Sequence, residues 1–306
     1  MKPVPAVPTT LVTNTGSQWE PASFSEFLEE LAHVHSHCAS LNHYILYRGH
    51  ARVAWRLDST FARFVKTQIL GINPSDQIKD DYRHSLEFHR LLNSLFLCKF
   101  GTLTLPSAEL LRASEKHGLD PWFEWMKRIQ QYPKDDLTNL RGTFLLDWTQ
   151  DWRIAVFFAN HERLQDEPGA VYIADGTEAG SILHRDLMVG DILAKIREAF
   201  LKDQPLGCPL IFCPQRQIAC QRAKNQDAIY VAQMDLRVDL TELWHLVERE
   251  RSDGSRILLR ILLPKATTHE AQKWLDKHGV TEQYVYPDKG GTPTNGHGVK
   301  SPLGSC

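Results

Sequence analysis

Four widespread catalytic and nucleotide-binding signatures are absent from this 306-residue sequence. It contains no G-x-S-x-G nucleophile elbow, no Walker phosphate loop, no G-x-G-x-x-G and no H-E-x-x-H. These absences exclude the commonest hydrolase, phosphate-loop and dinucleotide-binding classes. His33 and His37 fall four residues apart on one helical face, but the sequence shows no further ligands to complete a site, so no metal is predicted.

Paired cysteines, long apolar runs and a large net charge are lacking as well. None of the six cysteines belongs to a C-x-x-C pair, which indicates reduced thiols in a cytoplasmic protein. No apolar run reaches the length of a transmembrane helix, and prolines interrupt the start of the chain, so neither a membrane span nor a signal peptide is expected. The net charge of −2 gives no overall attraction to nucleic acid or to an acidic membrane surface.

The spacing of the apolar residues predicts an α+β fold. Helical spacing dominates the first half, and runs rich in β-branched and aromatic residues, typical of strands, dominate the second. We expect a flexible arm over 1–22, a single domain over 23–288 and a disordered tail over 289–306. A helix is predicted over 181–201, and a last short strand is predicted for YVYPD, residues 284–288.

The first candidate functional residue is an arginine at the end of an apolar run. The run YILY is followed by Arg48 and Gly49, which predicts a buried strand that ends in a guanidinium group. Arginine offers a rigid fork of donors that matches phosphate or carboxylate. Gly49 lacks a Cβ, so a ligand or another backbone can approach closely there. The alternative for Arg48 is an internal salt bridge.

A carboxylate follows a second apolar run, in LLDWTQDW. Asp147 is predicted to be either a helix N-cap or the partner of a buried cation, and a pair with Arg48 would satisfy both groups. Thr149 is a second candidate for the cap of the following helix.

A third polar group precedes the predicted strand AIYVAQ. Arg222 and Gln226 lie in RAKNQ, and strand alternation would put Gln226 on one face with Ala228 and Tyr230. A glutamine at the start of a strand is also commonly a satisfied hydrogen-bonding residue.

These stretches, taken in order, resemble the FRG domain, a family named for a Phe-Arg-Gly signature. The signature appears here as Tyr47-Arg48-Gly49, with tyrosine in place of phenylalanine. Three further segments match the family in the same order: WRLDSTFAR, TFLLDWT and RAKNQDAIY. The sequence departs from the family pattern where a proline, a histidine, a glycine and a phenylalanine are common, at Ser59, Asn139, Ala228 and Tyr230. The resemblance extends from about residue 40 to about residue 291.

FRG domains resemble distant ADP-ribosyltransferases and often occur in bacterial toxin and phage-defence loci. The resemblance therefore implies a core of split mixed β-sheets, a helical N-terminal half and NAD as a substrate. Arg48 matches the arginine that holds the phosphate and ribose region of NAD, with Tyr47 and Gly49 beside it. Trp148 and Thr149 match, by order alone, the aromatic and hydroxyl contacts of the second core strand.

The resemblance also places Gln226 near the position of a catalytic glutamate, with Arg222 close by as a further NAD contact. A glutamine amide can bond a ribose hydroxyl but supplies no negative charge to an oxocarbenium-like transition state. Three alternatives follow. Asp147 serves as the acid, the target is already strongly nucleophilic, or the pocket binds NAD without cleaving it.

Three functions remain open at this stage, and the first is favoured. In the first, the chain is an NAD-dependent ADP-ribosyltransferase that acts as a toxin or antiphage effector on RNA, DNA or protein. In the second, the chain is a non-catalytic nucleotide- or nucleic-acid-binding module, because arginines and aromatic residues are available for phosphates and bases. In the third, the signature residues only build the core. A cognate antitoxin or chaperone is the expected protein partner of the first.

Overall fold

The fold is given by a computed structural model. The residues it describes are 12–13, 16–102, 112, 121–131, 136, 138–177, 179, 181–183, 198–199, 201–203, 210–212, 221–233, 235–249 and 256–287. The expected tail over 289–306 and the first eleven residues of the expected arm lie outside them. The boundaries 1–22, 23–288 and 289–306 stay predictions.

The chain alternates between strands and helices, which confirms the α+β class. The strands are β1 Val12–Thr13, β2 Gly16–Trp19, β3 Ile45–His50, β4 Leu145–Thr149, β5 Gly169–Asp175, β6 Ser181–Leu183, β7 Leu210–Phe212, β8 Ala228–Ala232 and β9 Leu258–Leu263. The helices are α1 Phe24–Ser40, α2 Thr60–Phe64, a π-helix Val65–Ile69, α3 Asp80–Arg83, α4 Leu86–Thr102, α5 Pro121–Gln131, α6 Trp152–Asn160, α7 Gln221–Asn225, α8 Leu240–Arg249, α9 Thr268–Lys277 and α10 Glu282–Val285.

Two local predictions are wrong. Residues 181–183, expected to begin a helix, form β6 and pair in parallel with β7. The segment expected to be a last strand begins inside α10, which covers residues 282–285. Short apolar runs do not distinguish a strand from a buried helical turn, so tertiary pairing decides both cases.

The described residues divide into two compact units. The first consists of the described residues within 1–56, 148–180 and 240–281, and the second of those within 57–147, 181–239 and 282–306. Each unit is formed from several separate stretches of chain. Among the described residues no helix has the length and apolar character needed to cross a membrane.

The first unit is a mixed sheet with helices packed on it. β3 pairs antiparallel with β5 and with the end of β4, β5 pairs antiparallel with β9, and β9 pairs in parallel with β2. α6 packs on β3 and β5, while α8 packs on β2 and β9. Ser23 caps the start of α1, since its side chain accepts a hydrogen bond from the Glu26 N–H.

The second unit buries a helical core against β8. Its apolar cluster includes Phe61, Phe96, Phe144 and Tyr230, all essentially inaccessible to solvent. Polar groups are buried there too. Lys66 Nζ lies 2.6 Å from Asp58 Oδ2, and Gln233 Nε2 donates to Asp58 Oδ1 at 2.9 Å. The Gln233 amide oxygen accepts the Ser59 N–H at 2.6 Å, so one glutamine joins the end of β8 to the turn before α2.

Candidate functional site

β3 presents Arg48 and His50 on one face of the first unit's sheet. Side chains alternate along a strand, so Tyr47 and Gly49 point to the opposite face, where α6 packs. Arg48 is half-buried, and His50 is 3% exposed. The strand that the sequence predicts therefore exists, and its arginine lies near the end, as expected.

Gly49 is required by a close approach of backbone. A Cβ at this position would lie 1.9 Å from the Ala155 carbonyl oxygen and 2.5 Å from the Ala159 nitrogen. Such distances are far below van der Waals contact. Of the two explanations offered by the sequence, close approach of backbone applies, because α6 occupies the space that a side chain would need.

Tyr47 is buried completely and faces the helical side. Its hydroxyl is 2.6 Å from His35 Nδ1 of α1. Burial, followed by the nearby Cys38 and Asp151, raises the pKa of the Tyr47 phenol above its ordinary range. Tyr47 lies opposite Thr149 in the β3–β4 pairing. A side chain that is 0% exposed cannot stack on a ligand in this conformation.

Arg48 belongs to a row of polar and aromatic side chains that crosses the sheet. Arg48 lies opposite Tyr172 on β5, Tyr172 opposite Arg260 on β9, and Arg260 opposite Gln18 on β2. Adjacent strands are about 4.8 Å apart, so these side chains are immediate neighbours. Arg260 Nη1 donates to the Tyr172 hydroxyl at 3.4 Å, and its Nη2 donates to the Gln18 side-chain oxygen. Two guanidinium groups thus flank one tyrosine.

Trp148 lies on the same face, next to Arg48. It precedes Thr149, which is the partner of Tyr47, so antiparallel register puts Trp148 beside Arg48. Its ring contacts Trp244 of α8 at a centroid distance of 5.5 Å and is 2% exposed. Its Nε1 is buried and has no hydrogen-bond partner in the described part of the chain. A buried donor without a partner is uncommon and calls for an explanation.

His50 belongs to the candidate site, although the sequence did not point to it. Arg48 Nε donates to His50 Nε2 at 2.9 Å. Because a guanidinium has only donors, Nε2 must be the unprotonated nitrogen, and Nδ1 carries the hydrogen. Nδ1 lies 3.2 Å from the Trp55 carbonyl oxygen, which accepts that hydrogen. The available sequence signal is the i, i+2 spacing, which places His50 on the face of Arg48.

Thr149 connects β4 to the start of α6. Its Oγ1 accepts the Asp151 N–H at 3.0 Å. Asp151 is the N-cap residue itself, since its side chain accepts from the Arg153 N–H at 2.9 Å. The cap expected of Asp147 or Thr149 is therefore provided by Asp151, with Thr149 bracing the turn before the helix.

Asp147 belongs to the second unit and to a different set of contacts. Gln130 Nε2 donates to Asp147 Oδ2 at 3.2 Å, and Gln130 Oε1 accepts from the hydroxyls of Thr60 and Thr143 at 3.2 and 2.7 Å. Burial lowers the pKa of Arg63, while the charges of Asp58 and Asp147 oppose that shift. Asp147 therefore lies near the positive charge of Arg63, which supports its expected role as the partner of a cation over the role of a helix N-cap. Its pair with Arg48 stays a prediction.

Gln226 and Arg222 both contact the segment around α10. Gln226 is 5% exposed, and its Nε2 donates to the Val285 carbonyl at 3.1 Å. The Arg222 guanidinium lies 4.4 Å from the centroid of the Tyr286 ring. Asp227 has a left-handed φ of 45°, so the alternation of β8 does not extend back to Gln226 as expected. These contacts bind α7 to the segment 285–286.

Comparison with known proteins supports the family resemblance over one segment. The family model described as the FRG domain matches residues 43–167, which include Tyr47, Arg48, Gly49, Asp147, Trp148 and Thr149. The FRG resemblance is therefore confirmed over this segment. No curated protein and no solved structure matches the chain.

Proposed function

We propose that this protein is an NAD-dependent ADP-ribosyltransferase with an ADP-ribosyltransferase-like core, acting as a toxin or antiphage effector on a macromolecule. The observation that supports it best is the row on the first unit's sheet. In the strand register Arg48 lies between Trp148 on β4 and Tyr172 on β5, and Arg260 lies one strand beyond Tyr172. The half-buried guanidinium of Arg48 suits a pyrophosphate, because it offers paired donors to phosphate oxygens.

The reaction breaks the bond between C1′ of the ribose and the nicotinamide nitrogen. Nicotinamide leaves with the electron pair of that bond, a nucleophile of the target forms the new bond to C1′, and its proton passes to a base. Arg48 neutralises the pyrophosphate and orients the ribose. Such preorganised electrostatic contacts typically contribute about 10²–10³ in rate.

The proton acceptor that the sequence predicts is Asp147, a residue of the second unit. It is already a hydrogen-bond acceptor from Gln130. The Gln226 amide is engaged by the Val285 carbonyl, so we assign it a positioning role instead of direct contact with the ribose. A cognate antitoxin or chaperone and a nucleic-acid target are the partners that this proposal expects.

The test is nicotinamide release from NAD, quantified by mass spectrometry with the protein alone and with RNA, DNA or cell lysate. Arg48→Lys keeps the charge but removes the fork of donors, and we expect release to fall about 100-fold. Arg249→Gln is the matched control, because Arg249 is an exposed arginine of the same unit. Its release should equal that of the unsubstituted protein.

The additive needed for release identifies the class of target. Equal release by Arg48→Lys would overturn the role of Arg48. An absence of release under every condition would reject the enzyme. If binding to RNA or DNA then falls steeply with salt, the binding-module hypothesis replaces it.

A further inference from the structure

One aromatic side chain near Arg48 is accessible, although no role has been assigned to it. Trp55 is 47% exposed, in a turn closed by a hydrogen bond from its N–H to the Arg52 carbonyl at 3.2 Å. The Arg52 guanidinium lies 5.7 Å from the centroid of the Trp55 ring. A single exposed apolar side chain is ordinary on a protein surface and by itself indicates nothing. Trp55 differs from such a residue because the buried His50 contacts both its ring and its backbone carbonyl.

His50 connects the exposed ring to the half-buried guanidinium. The imidazole accepts from Arg48 through Nε2 and donates to the Trp55 carbonyl through Nδ1. Its ring lies edge-on to Trp55 at 6.0 Å and to Tyr172 at 5.1 Å. One buried side chain therefore fixes the positions of Arg48 and Trp55 relative to each other. Protonation of His50 would remove the acceptor that Arg48 uses.

The other aromatic candidates of this unit are closed to a ligand. Tyr47 and Trp148, which the sequence suggested as stacking residues, are 0% and 2% exposed. Tyr172 is buried beneath His50. A planar group would have to displace packed core to reach any of them. Trp55 offers a ring face to solvent without such a cost, and its neighbour Arg52 supplies a cation for cation–π or phosphate contact.

We infer that Trp55 stacks on a planar heteroaromatic ring of the ligand whose anionic part Arg48 holds, with His50 as the residue that positions the two. The ligand class is a nucleotide. That identification rests on the proposed function, whereas the pairing of a stacking ring with a guanidinium rests on the geometry. The sequence order supports the local character of the site, since Arg48, His50, Arg52 and Trp55 fall within eight consecutive residues.

Calorimetric titration with ADP-ribose and with nicotinamide mononucleotide tests this inference without any turnover. ADP-ribose retains adenine and pyrophosphate, and nicotinamide mononucleotide retains the other ring, so the pair identifies which ring is stacked.

Loss of one stacked base by alanine substitution weakens binding about 5- to 150-fold, so Trp55→Ala should raise the Kd of the stacked ligand within that range. Trp55→Phe keeps a ring and should remain within about threefold of the unsubstituted protein. Leu164→Ala is the control, because Leu164 is 49% exposed in the same unit, and its Kd should not change.

The positioning role of His50 is tested by measurements that a merely structural role would leave unchanged. Nitrogen-15 NMR of the histidine rings should show an Nδ1–H imidazole signal that is absent in His50→Gln. A glutamine can place its amide oxygen near the position of Nε2, so His50→Gln should retain binding, whereas His50→Leu should weaken it as much as Arg48→Ala.

The outcomes separate this inference from the proposed function. Weaker binding in Trp55→Ala without any nicotinamide release supports the nucleotide site and rejects the enzyme. Release that depends on Arg48, with an unchanged Kd in Trp55→Ala, supports the enzyme and rejects the stacking role. If neither ligand binds the folded protein at millimolar concentration, the inference is overturned. The same holds if Trp55→Ala lowers the melting temperature while leaving both Kd values unchanged.

Discussion

The Cα of Gly49 faces the backbone of Ala155 so closely that a Cβ at position 49 would lie 1.9 Å from the Ala155 carbonyl oxygen. This contact holds β3 against α6 and therefore fixes the strand from which Arg48 projects. The glycine of the family signature is thus explained by packing of helix on strand.

Gly49→Ala should destabilise the protein by about 3 kcal/mol or more, because the clash is with backbone, which cannot rotate away. Chemical denaturation measures the loss. Gly279→Ala is the comparison, since that position has open space but a φ of +72°. It should cost only about 1–2 kcal/mol, the strain of a left-handed alanine. Equal losses at both positions would contradict the packing explanation.

The pair of Lys99 and Asp136 should make stability depend on acid. Burial alone would raise the pKa of Asp136, but hydrogen bonds from Thr138 and the charge and hydrogen bonds of Lys99 outweigh it and lower the pKa below its ordinary 3.8. A carboxylate with a lowered folded pKa contributes stability above the unfolded pKa, and this contribution is lost as the pH falls through the folded pKa. Stability should therefore decline below about pH 4.

Asp136→Asn isolates this contribution. It leaves the Lys99 ammonium buried without its counter-ion, so we expect a loss of about 3–5 kcal/mol at neutral pH and a flatter acid limb in urea denaturation. Asp203→Asn is the control. It removes an exposed ion pair with Arg90, and it should change stability little. A steep acid limb that persists in Asp136→Asn would assign the pH dependence to other carboxylates.

The Lys66–Asp58 pair should show strong energetic coupling. Both side chains are essentially inaccessible, at 2% and 0%, and their charged atoms lie 2.6 Å apart. Lys66→Met should cost about 3–5 kcal/mol because it leaves the Asp58 carboxylate buried. The double variant Lys66→Met, Asp58→Asn should recover part of this loss. A double-mutant cycle by urea denaturation measures the coupling, and strict additivity would show that the two groups do not interact.

Gln226→Glu should lower stability without raising nicotinamide release. Gln226 Nε2 is a donor to the Val285 carbonyl, and a carboxylate in its place would set two acceptors against each other in a buried position. A loss of about 1–3 kcal/mol is expected. Gln221→Glu is the control, because Gln221 is an exposed residue of α7, the helix that ends just before Gln226. Increased release in Gln226→Glu would instead show that this position faces the ribose.

Several elements could be predicted because their causes are local. The strand that leads to Arg48 and the strand β8 are predictable from apolar runs of neighbouring residues. The segments 181–183 and 284–285 were predicted incorrectly, because such short runs take their conformation from the residues that they pair with or pack against. The interruption before β8 was missed because it depends on the left-handed φ of Asp227.

The candidate site shows the same division. Arg48 could be selected from the sequence, since an arginine after an apolar run must either meet an anion or pay for its burial. The sequence could not predict that Tyr47 and Trp148 are buried, that Trp55 is exposed, or which tautomer His50 adopts. Each depends on residues brought together by the sheet, among them Trp244 behind Trp148.

By itself, then, the sequence determined the α+β class, the resemblance to the FRG domain and the strand that leads to Arg48, because periodicity, capping and motif order are properties of adjacent residues. Only the tertiary structure decided which side chains surround Arg48. Strand register placed Trp148 and Tyr172 beside it, with Arg260 one strand beyond Tyr172, and α6 closed the space at Gly49. Register and burial arise from contacts between segments distant along the chain, and local patterns do not encode them.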